Sequence, residues 1–103
     1  MDVELLHWSG CPSHPQALAE LRRALAELGI EADVALREVR TEDEARAERF
    51  PGSPTLRVGG RDLFPTAEEP ALTCRVYRRR DGRASPTPDP DDLREALRGM
   101  LLG

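Results

Sequence analysis

The sequence lacks the features that carry a protein across a membrane. No apolar run approaches the roughly 20 residues of a membrane-spanning helix, and the opening "MDVELL" is acidic where a secretory signal is positively charged. We therefore expect a cytoplasmic protein without a membrane partner. A chain of 103 residues is expected to form one domain, over residues 1–103.

Positive charge and cysteine are also scarce. Nineteen acidic and fifteen basic residues give a formal net charge of −4, so no overall field attracts polyanions, and we expect no nucleic-acid partner. The chain has 2 cysteines, Cys11 and Cys74. In a reducing compartment such residues are more often reactive or metal-binding than structural.

Hydrophobic patterning in the first third of the chain predicts two strands and a helix. Val3 to His7 is a short apolar run, typical of a buried strand. Apolar residues then recur at helical spacing from Ala17 to Leu28 until Gly29 ends the pattern. Residues 32–36 alternate as in a strand covered on one face. Because a helix separates the two strands, we expect them to be parallel.

The middle of the chain predicts a short helix followed by a hairpin. Thr41 and Glu44 have the spacing of a capping box that opens a helix. The Gly59-Gly60 pair is typical of a two-residue turn. The strands joined by that turn are expected at residues 55–58 and 61–64.

The last third predicts a weaker strand and a final helix. In "LTCRVY", Leu72, Cys74 and Val76 share one face of a fifth strand. Asp89 and Pro90 have the pattern of a helix start. The resulting order, β-α-β-α-β-β-α, predicts an α/β domain with a mixed sheet of four or five strands flanked by three helices. With a cysteine at the first strand-to-helix junction, the order is similar to that of the thioredoxin fold.

Cys11 lies between Gly10 and Pro12, where the first strand turns into the first helix. A Cys-x-x-Cys pair would place its second cysteine where this chain has His14. The start of a helix supplies positive potential and unpaired N–H groups, which favour the reactive thiolate. Pro15 favours Ser13 over Cys11 as the helix cap, in a capping box with Gln16. Cys11 is thus a candidate nucleophile, and the alternative is a small buried residue that only packs.

Cys74 has two interpretations. Its alternation with Leu72 and Val76 favours a thiol that faces the core. The alternative is a resolving cysteine that attacks an oxidised Cys11, which requires the two Cα atoms to lie roughly 4.4–6.8 Å apart.

A metal site is the main alternative use of these thiols. His7, Cys11, His14 and Cys74 together form a legitimate tetrahedral zinc set. The Cys-x-x-His spacing stands alone, however, without a second paired motif. We therefore predict no metal and keep a site at these four residues as the alternative.

Ser53-Pro54-Thr55 opens the third strand, and Pro54 is a natural position for a cis peptide bond. With that geometry we expect the backbone of Ser53 to be unpaired and ready to bind an extended substrate as an added strand. Trp8 and Pro12, which flank Cys11 in the sequence, are expected to line the same substrate site. The alternative for Ser53 and Pro54 is a tight turn without a binding role.

Four motifs in order, "GCP", "GSPT", the Gly-Gly hairpin and "LTCRVYR", resemble those of a group of small bacterial thioredoxin-like proteins over nearly the full chain. Members carry a Ser-Cys-Arg-Leu-Tyr segment, matched here by Thr73 to Tyr77. Some are labelled alkylmercury lyase-like, which implies two thiols and an acid that cleave a carbon–mercury bond. Related proteins carry selenocysteine at the position of Cys11, which implies redox chemistry.

These features predict a thiol–disulfide redox protein, an oxidoreductase without a cofactor. Cys11 would be its nucleophile and Cys74, or a small-molecule thiol, would resolve the oxidised form. Its partners would be protein or small-molecule thiols and disulfides. The alternatives are a protein that binds soft metals or organomercurials, and a thioredoxin-like interaction module without activity. The sequence leaves the oligomeric state open.

Overall fold

Three helices and two small sheets form the fold. The structure, a computed structural model, describes residues 2–103. In chain order its elements are β1 (Val3–His7), α1 (His14–Glu27), β2 (Val34–Glu38), α2 (Glu42–Glu48), β3 (Thr55–Val58), β4 (Arg61–Asp62), β5 (Tyr77–Arg78), β6 (Ala84–Ser85), α3 (Pro90–Leu97) and a terminal π-helical segment (Arg98–Leu102). Within residues 2–103, every helix is too short or too polar to cross a membrane.

The main sheet is mixed and has the strand order β2-β1-β3-β4. β1 is parallel to β2 and antiparallel to β3, with Leu5 opposite both Leu36 and Leu56. β3 and β4 form the expected hairpin, and Gly59 and Gly60 both take the positive φ that its tight turn requires. The predicted parallel pair and hairpin are confirmed, although β4 ends at Asp62 rather than at residue 64.

The helices lie on both faces of this sheet. Alternate residues of a strand point to opposite faces, and Leu5 and Leu6 accordingly belong to different hydrophobic clusters. The Leu5 cluster joins the sheet to α1 and α3; its buried members are Val3, Leu5, Ala17, Leu21, Ala24, Leu25, Leu56, Val58, Leu63, Leu93 and Leu97. The Leu6 cluster joins the other face to α2; its buried members are Leu6, Val39, Ala45 and Phe50.

All three predicted caps take their expected positions, but only two make the side-chain hydrogen bond of a cap. The hydroxyl of Thr41 accepts a hydrogen bond from the Glu44 amide at 3.0 Å, as expected for α2. Asp89 likewise caps α3 through its side chain. Ser13 occupies the cap position of α1 but makes no side-chain cap bond, and Gln16 hydrogen-bonds to Glu20 instead. α1 nevertheless begins at His14, so Cys11 lies in the turn just before it.

The predicted fifth strand through Leu72, Cys74 and Val76 is wrong. Residues 72–76 form no strand, and Cys74 makes one isolated parallel bridge with Ser53. The alternation is present but its phase is reversed, since Arg75 and Tyr77 are buried while Val76 is 68% exposed. β5 begins only at Tyr77 and pairs with β6 in a separate two-stranded sheet.

Arg75 explains this reversal, because its buried guanidinium has three hydrogen-bond partners and a stacking partner. Its guanidinium donates to the Asp62 carboxylate at 2.8 Å and to the Thr55 hydroxyl at 3.3 Å. It also donates to the carbonyl of Phe64 and lies over the ring of Tyr77, 4.7 Å from the centroid. A buried charge is tolerated when it is paired and hydrogen-bonded in this way. Arg75 therefore anchors residues 72–78 against the β3–β4 hairpin.

Replacement of Arg75 by methionine tests this anchor. The change keeps an unbranched apolar stem but removes the guanidinium, which leaves the Asp62 carboxylate, 19% exposed, without its charged partner. We expect the free energy of unfolding in urea to fall by about 1–3 kcal/mol. The exposed Arg78 supplies the control, and Arg78→Met should stay within about 0.5 kcal/mol of the parent chain. Equal effects of the two variants would contradict the assigned role of Arg75.

Candidate functional site

Cys11 is held in the turn between β1 and α1 and is only 1% exposed. Its backbone N–H donates to the carbonyl of Trp8 at 3.0 Å, which closes the turn. Its sulfur lies 3.5 Å from the carbonyl oxygen of Ser53 and 3.8 Å from the hydroxyl of Ser13. The thiol is therefore buried, but it contacts polar groups as well as the interior.

Ser53 connects the other parts of the site. It is fully buried, and the peptide bond to Pro54 is cis, as predicted. Its hydroxyl accepts a hydrogen bond from the Trp8 amide at 3.0 Å. Its amide donates to the carbonyl of Thr73, and its carbonyl accepts from the amide of Arg75, both at 2.8 Å. The same carbonyl accepts from the Cys11 thiol.

The expectation of an unpaired Ser53 backbone is thus wrong. Residues 73–75 of the same chain occupy the position in which we had expected an extended substrate. Buried backbone groups need partners, and the anchored Arg75 brings this segment within reach. Pro54 is also buried, and its carbonyl accepts a hydrogen bond from the Tyr77 hydroxyl.

Gly52 permits the close approach of the two segments. A Cβ atom at this position would lie 3.0 Å from the Cβ of Arg75 and 3.1 Å from its backbone nitrogen. The φ angle of Gly52 is +140°, a conformation that favours glycine. Gly52 therefore leaves space for the backbone of Arg75, and Ser53 forms the hydrogen bonds to residues 73 and 75.

Cys74 is exposed, and its thiol and that of Cys11 are not joined in a disulfide. The core-facing interpretation of Cys74 is wrong, because its neighbour Arg75 takes the inward position. The pKa of the Cys74 thiol is raised, first by a hydrogen bond with the Cys11 side chain and then by burial and the charge of Cys11. The bridge to Ser53 thus places Cys74 against the residue whose carbonyl contacts the Cys11 sulfur.

A cavity of about 450 Å³ opens beside Cys74. The residues that line it come from four parts of the chain and include Phe64, Thr73, Cys74, Val76 and Tyr77. Sequence reasoning did not find this cavity. Its walls are brought together by the Arg75 anchor, for which the sequence carries no local signal.

Trp8 and Pro12, the other predicted substrate-binding residues, do not line this cavity. Trp8 packs against the Leu6 cluster, and its indole covers Gly10 so closely that a Cβ there would clash with the ring. Pro12 is exposed in the turn before α1. The cis-proline segment, the two cysteines and the cavity are therefore the parts of the site that the fold brings together.

His7 and His14 stack beside the turn that carries Cys11, with ring centroids 4.1 Å apart and planes inclined by 17°. Neither Nδ1 atom has a hydrogen-bond partner among residues 2–103. Within residues 2–103, however, no three His, Cys, Asp or Glu side chains form a group that could hold a metal ion. The four-ligand zinc set considered from the sequence is therefore not assembled.

No protein-family model, curated protein or solved structure matches this chain. The chemistry of the site is therefore inferred from its own geometry.

The pKa of His7 provides a test of the stacked pair. Burial lowers it from the usual value of 6.5, the neighbouring His14 lowers it further, and Glu38 opposes both. We expect His14→Gln to raise the pKa of His7 part of the way towards 6.5 in an NMR titration, because the burial remains.

The lowered pKa of His7 also determines how the free energy of unfolding changes with pH. The unfolded chain takes up this proton near pH 6.5, while the folded chain does so only at a lower pH. The contribution of His7 to the free energy of unfolding should therefore fall as the pH decreases from about 6.5 to the folded pKa. His7→Gln should remove that part of the pH dependence. Titration of His7 at or above 6.5 would contradict the packing described here.

Proposed function

We propose that this chain is a thiol–disulfide redox protein whose working pair is Cys11 and Cys74. In the oxidising direction the two thiols give two electrons and two protons to a disulfide RSSR. The products are a Cys11–Cys74 disulfide and two molecules of RSH. Thiol attack on the protein disulfide reverses the reaction.

The contact of both cysteines with Ser53 carries this proposal. The Cys11 sulfur lies 3.5 Å from the Ser53 carbonyl, and Cys74 forms a backbone bridge with the same residue. The effect of Cys11 on the Cys74 pKa supports contact between the two side chains. A disulfide requires its two Cα atoms to lie within roughly 4.4–6.8 Å, and the shared contact with Ser53 favours that approach.

The architecture supports a thioredoxin-like fold for this redox protein. The strand order β2-β1-β3-β4, a cysteine between β1 and α1, and a cis proline before β3 agree with the resemblance noted from the motifs. In this proposal the chain departs from a Cys-x-x-Cys protein in the source of its second thiol. Here Cys74 reaches Cys11 from a separate segment that crosses Ser53, instead of from the first turn of α1.

The same pair of thiols favours a second candidate function, the binding of a soft metal ion. Thiolates are the ligands that Cu(I) prefers, and mercury is similarly thiophilic. Two neighbouring thiolates form a linear two-coordinate site for such an ion. In the redox proposal the two cysteines are alternately oxidised and reduced. In this alternative they retain one metal ion per chain.

Oxidation of the reduced chain tests the proposal. With glutathione disulfide as the oxidant, we expect the intact mass to fall by two hydrogens and a non-reducing peptide map to link Cys11 with Cys74. A disulfide that is repeatedly formed and reduced should have a reduction potential above about −300 mV in glutathione buffers, whereas a structural disulfide would lie below that value. The proteins Cys11→Ser and Cys74→Ser are matched controls, and each should give only a mixed disulfide with glutathione.

Two outcomes would overturn the redox proposal. If the oxidant leaves both thiols free or never links them, the pair does not form, and an interaction module becomes the better description. If native mass spectrometry shows one Cu(I) or Hg(II) retained per chain while the linked form cannot be reduced by glutathione, soft-metal binding is favoured instead.

A further inference from the structure

The two cysteines differ in access to solvent. Cys11 is 1% exposed, whereas Cys74 is exposed beside the cavity. In thiol–disulfide exchange, access to a sulfur is one of the factors that set its rate of reaction. An external reactant therefore meets the sulfur of Cys74 before that of Cys11.

The position for an extended peptide is already occupied. Binding by strand addition needs free backbone N–H and C=O groups. Both groups of Ser53 are hydrogen-bonded to residues 73 and 75, and the side chain of Arg75 fastens this segment to Asp62 and Thr55. A protein substrate would have to displace an anchored part of the chain.

The cavity beside Cys74 suits a small molecule. Its volume of about 450 Å³ lies within the roughly 300–1,000 Å³ typical of small-molecule sites. Phe64, Tyr77 and Val76 supply apolar surface, and Glu68 and Arg78 supply charges of both signs. Such a lining fits a short thiol with polar or ionised groups.

We propose that the reaction partner of this protein is a low-molecular-weight thiol that enters this cavity and reacts at Cys74. This inference rests on the proposed Cys11–Cys74 redox pair. A thiolate RS⁻ attacks the Cys74 sulfur of the protein disulfide, which forms an RS–Cys74 mixed disulfide and releases the Cys11 thiolate. A second RS⁻ attacks the R sulfur, which forms RSSR and releases the Cys74 thiolate. Two thiols are oxidised to RSSR, one protein disulfide is reduced, and the thiolates exchange protons with water.

Single-cysteine proteins test which sulfur the small molecule reaches. Cys11→Ser and Cys74→Ser are each treated with 2-hydroxyethyl disulfide, and rates over a range of pH give the rate constant of each thiolate. We expect Cys74 to react at least about tenfold faster than Cys11 in the folded proteins, because access limits the buried sulfur. The difference should disappear in concentrated urea. An equal or faster reaction of Cys11 in the folded state would overturn the inference.

A charge placed at Val76 tests the route through the cavity. Val76 is 68% exposed, so Val76→Glu and Val76→Lys should fold. The first probe is the anionic thiol mercaptoethanesulfonate, which reduces the oxidised chain. At low salt we expect the rate of this reduction to fall about twofold in Val76→Glu and to rise by a similar factor in Val76→Lys. The cationic thiol cysteamine should show the opposite order. The controls are Leu36→Glu and Leu36→Lys, at a 49% exposed position on β2, and they should change neither rate. Equal rates in all four variants would show that the thiol does not enter through the cavity.

A protein substrate provides the last comparison. The reduced chain should reduce 2-hydroxyethyl disulfide at least about tenfold faster than the disulfides of insulin, because Ser53 offers no free backbone groups. Equal rates would overturn the choice of a small molecule. These outcomes are separable from the parent proposal: failure to link Cys11 with Cys74 removes the redox function, whereas linkage without preference for Cys74 removes only this inference.

Discussion

The hydrogen bonds between Ser53 and residues 73 and 75 are the interaction on which the rest of the site depends. They place Cys74 against the segment that also contacts the Cys11 sulfur. They use both backbone groups of a residue that is fully buried, where an unmade hydrogen bond would cost on the order of 1–3 kcal/mol. Without this pairing the chain would hold two unrelated thiols, one in a turn and one on a loop.

The pairing itself depends on the buried guanidinium of Arg75. Its bonds to Asp62, Thr55 and Phe64 tie residues 72–78 to the β3–β4 hairpin, and Gly52 gives the two backbones room to approach. Because Arg75 points inward, the adjacent Cys74 points outward. One ion pair therefore determines both the position of the segment and the exposure of its thiol.

Local patterns in the sequence were sufficient to predict the main sheet, the helices and the cis proline. The Gly59-Gly60 turn and the Thr41 cap depend on residues close together in the chain. The parallel β1–β2 pair follows from the helix that separates the two strands. The segment around Cys74 was predicted in the wrong phase, since periodicity favours Leu72, Cys74 and Val76 inside, whereas of the three only Leu72 packs, half-buried, against the Leu6 cluster. The partners that bury Arg75 lie 11 to 20 residues away in sequence. The meeting of Cys11 and Cys74 at Ser53 likewise has no local signal in the sequence.

Native-state hydrogen exchange at the Arg75 amide tests the central pairing most directly. This N–H lies in a segment without regular secondary structure, and its partner is the Ser53 carbonyl at 2.8 Å. We expect it to exchange far more slowly than the unfolded chain, and about as slowly as the paired amides of β3. Exchange at the rate of an unprotected loop would show that residues 73–75 do not pair with Ser53, and that the two cysteines are not held together.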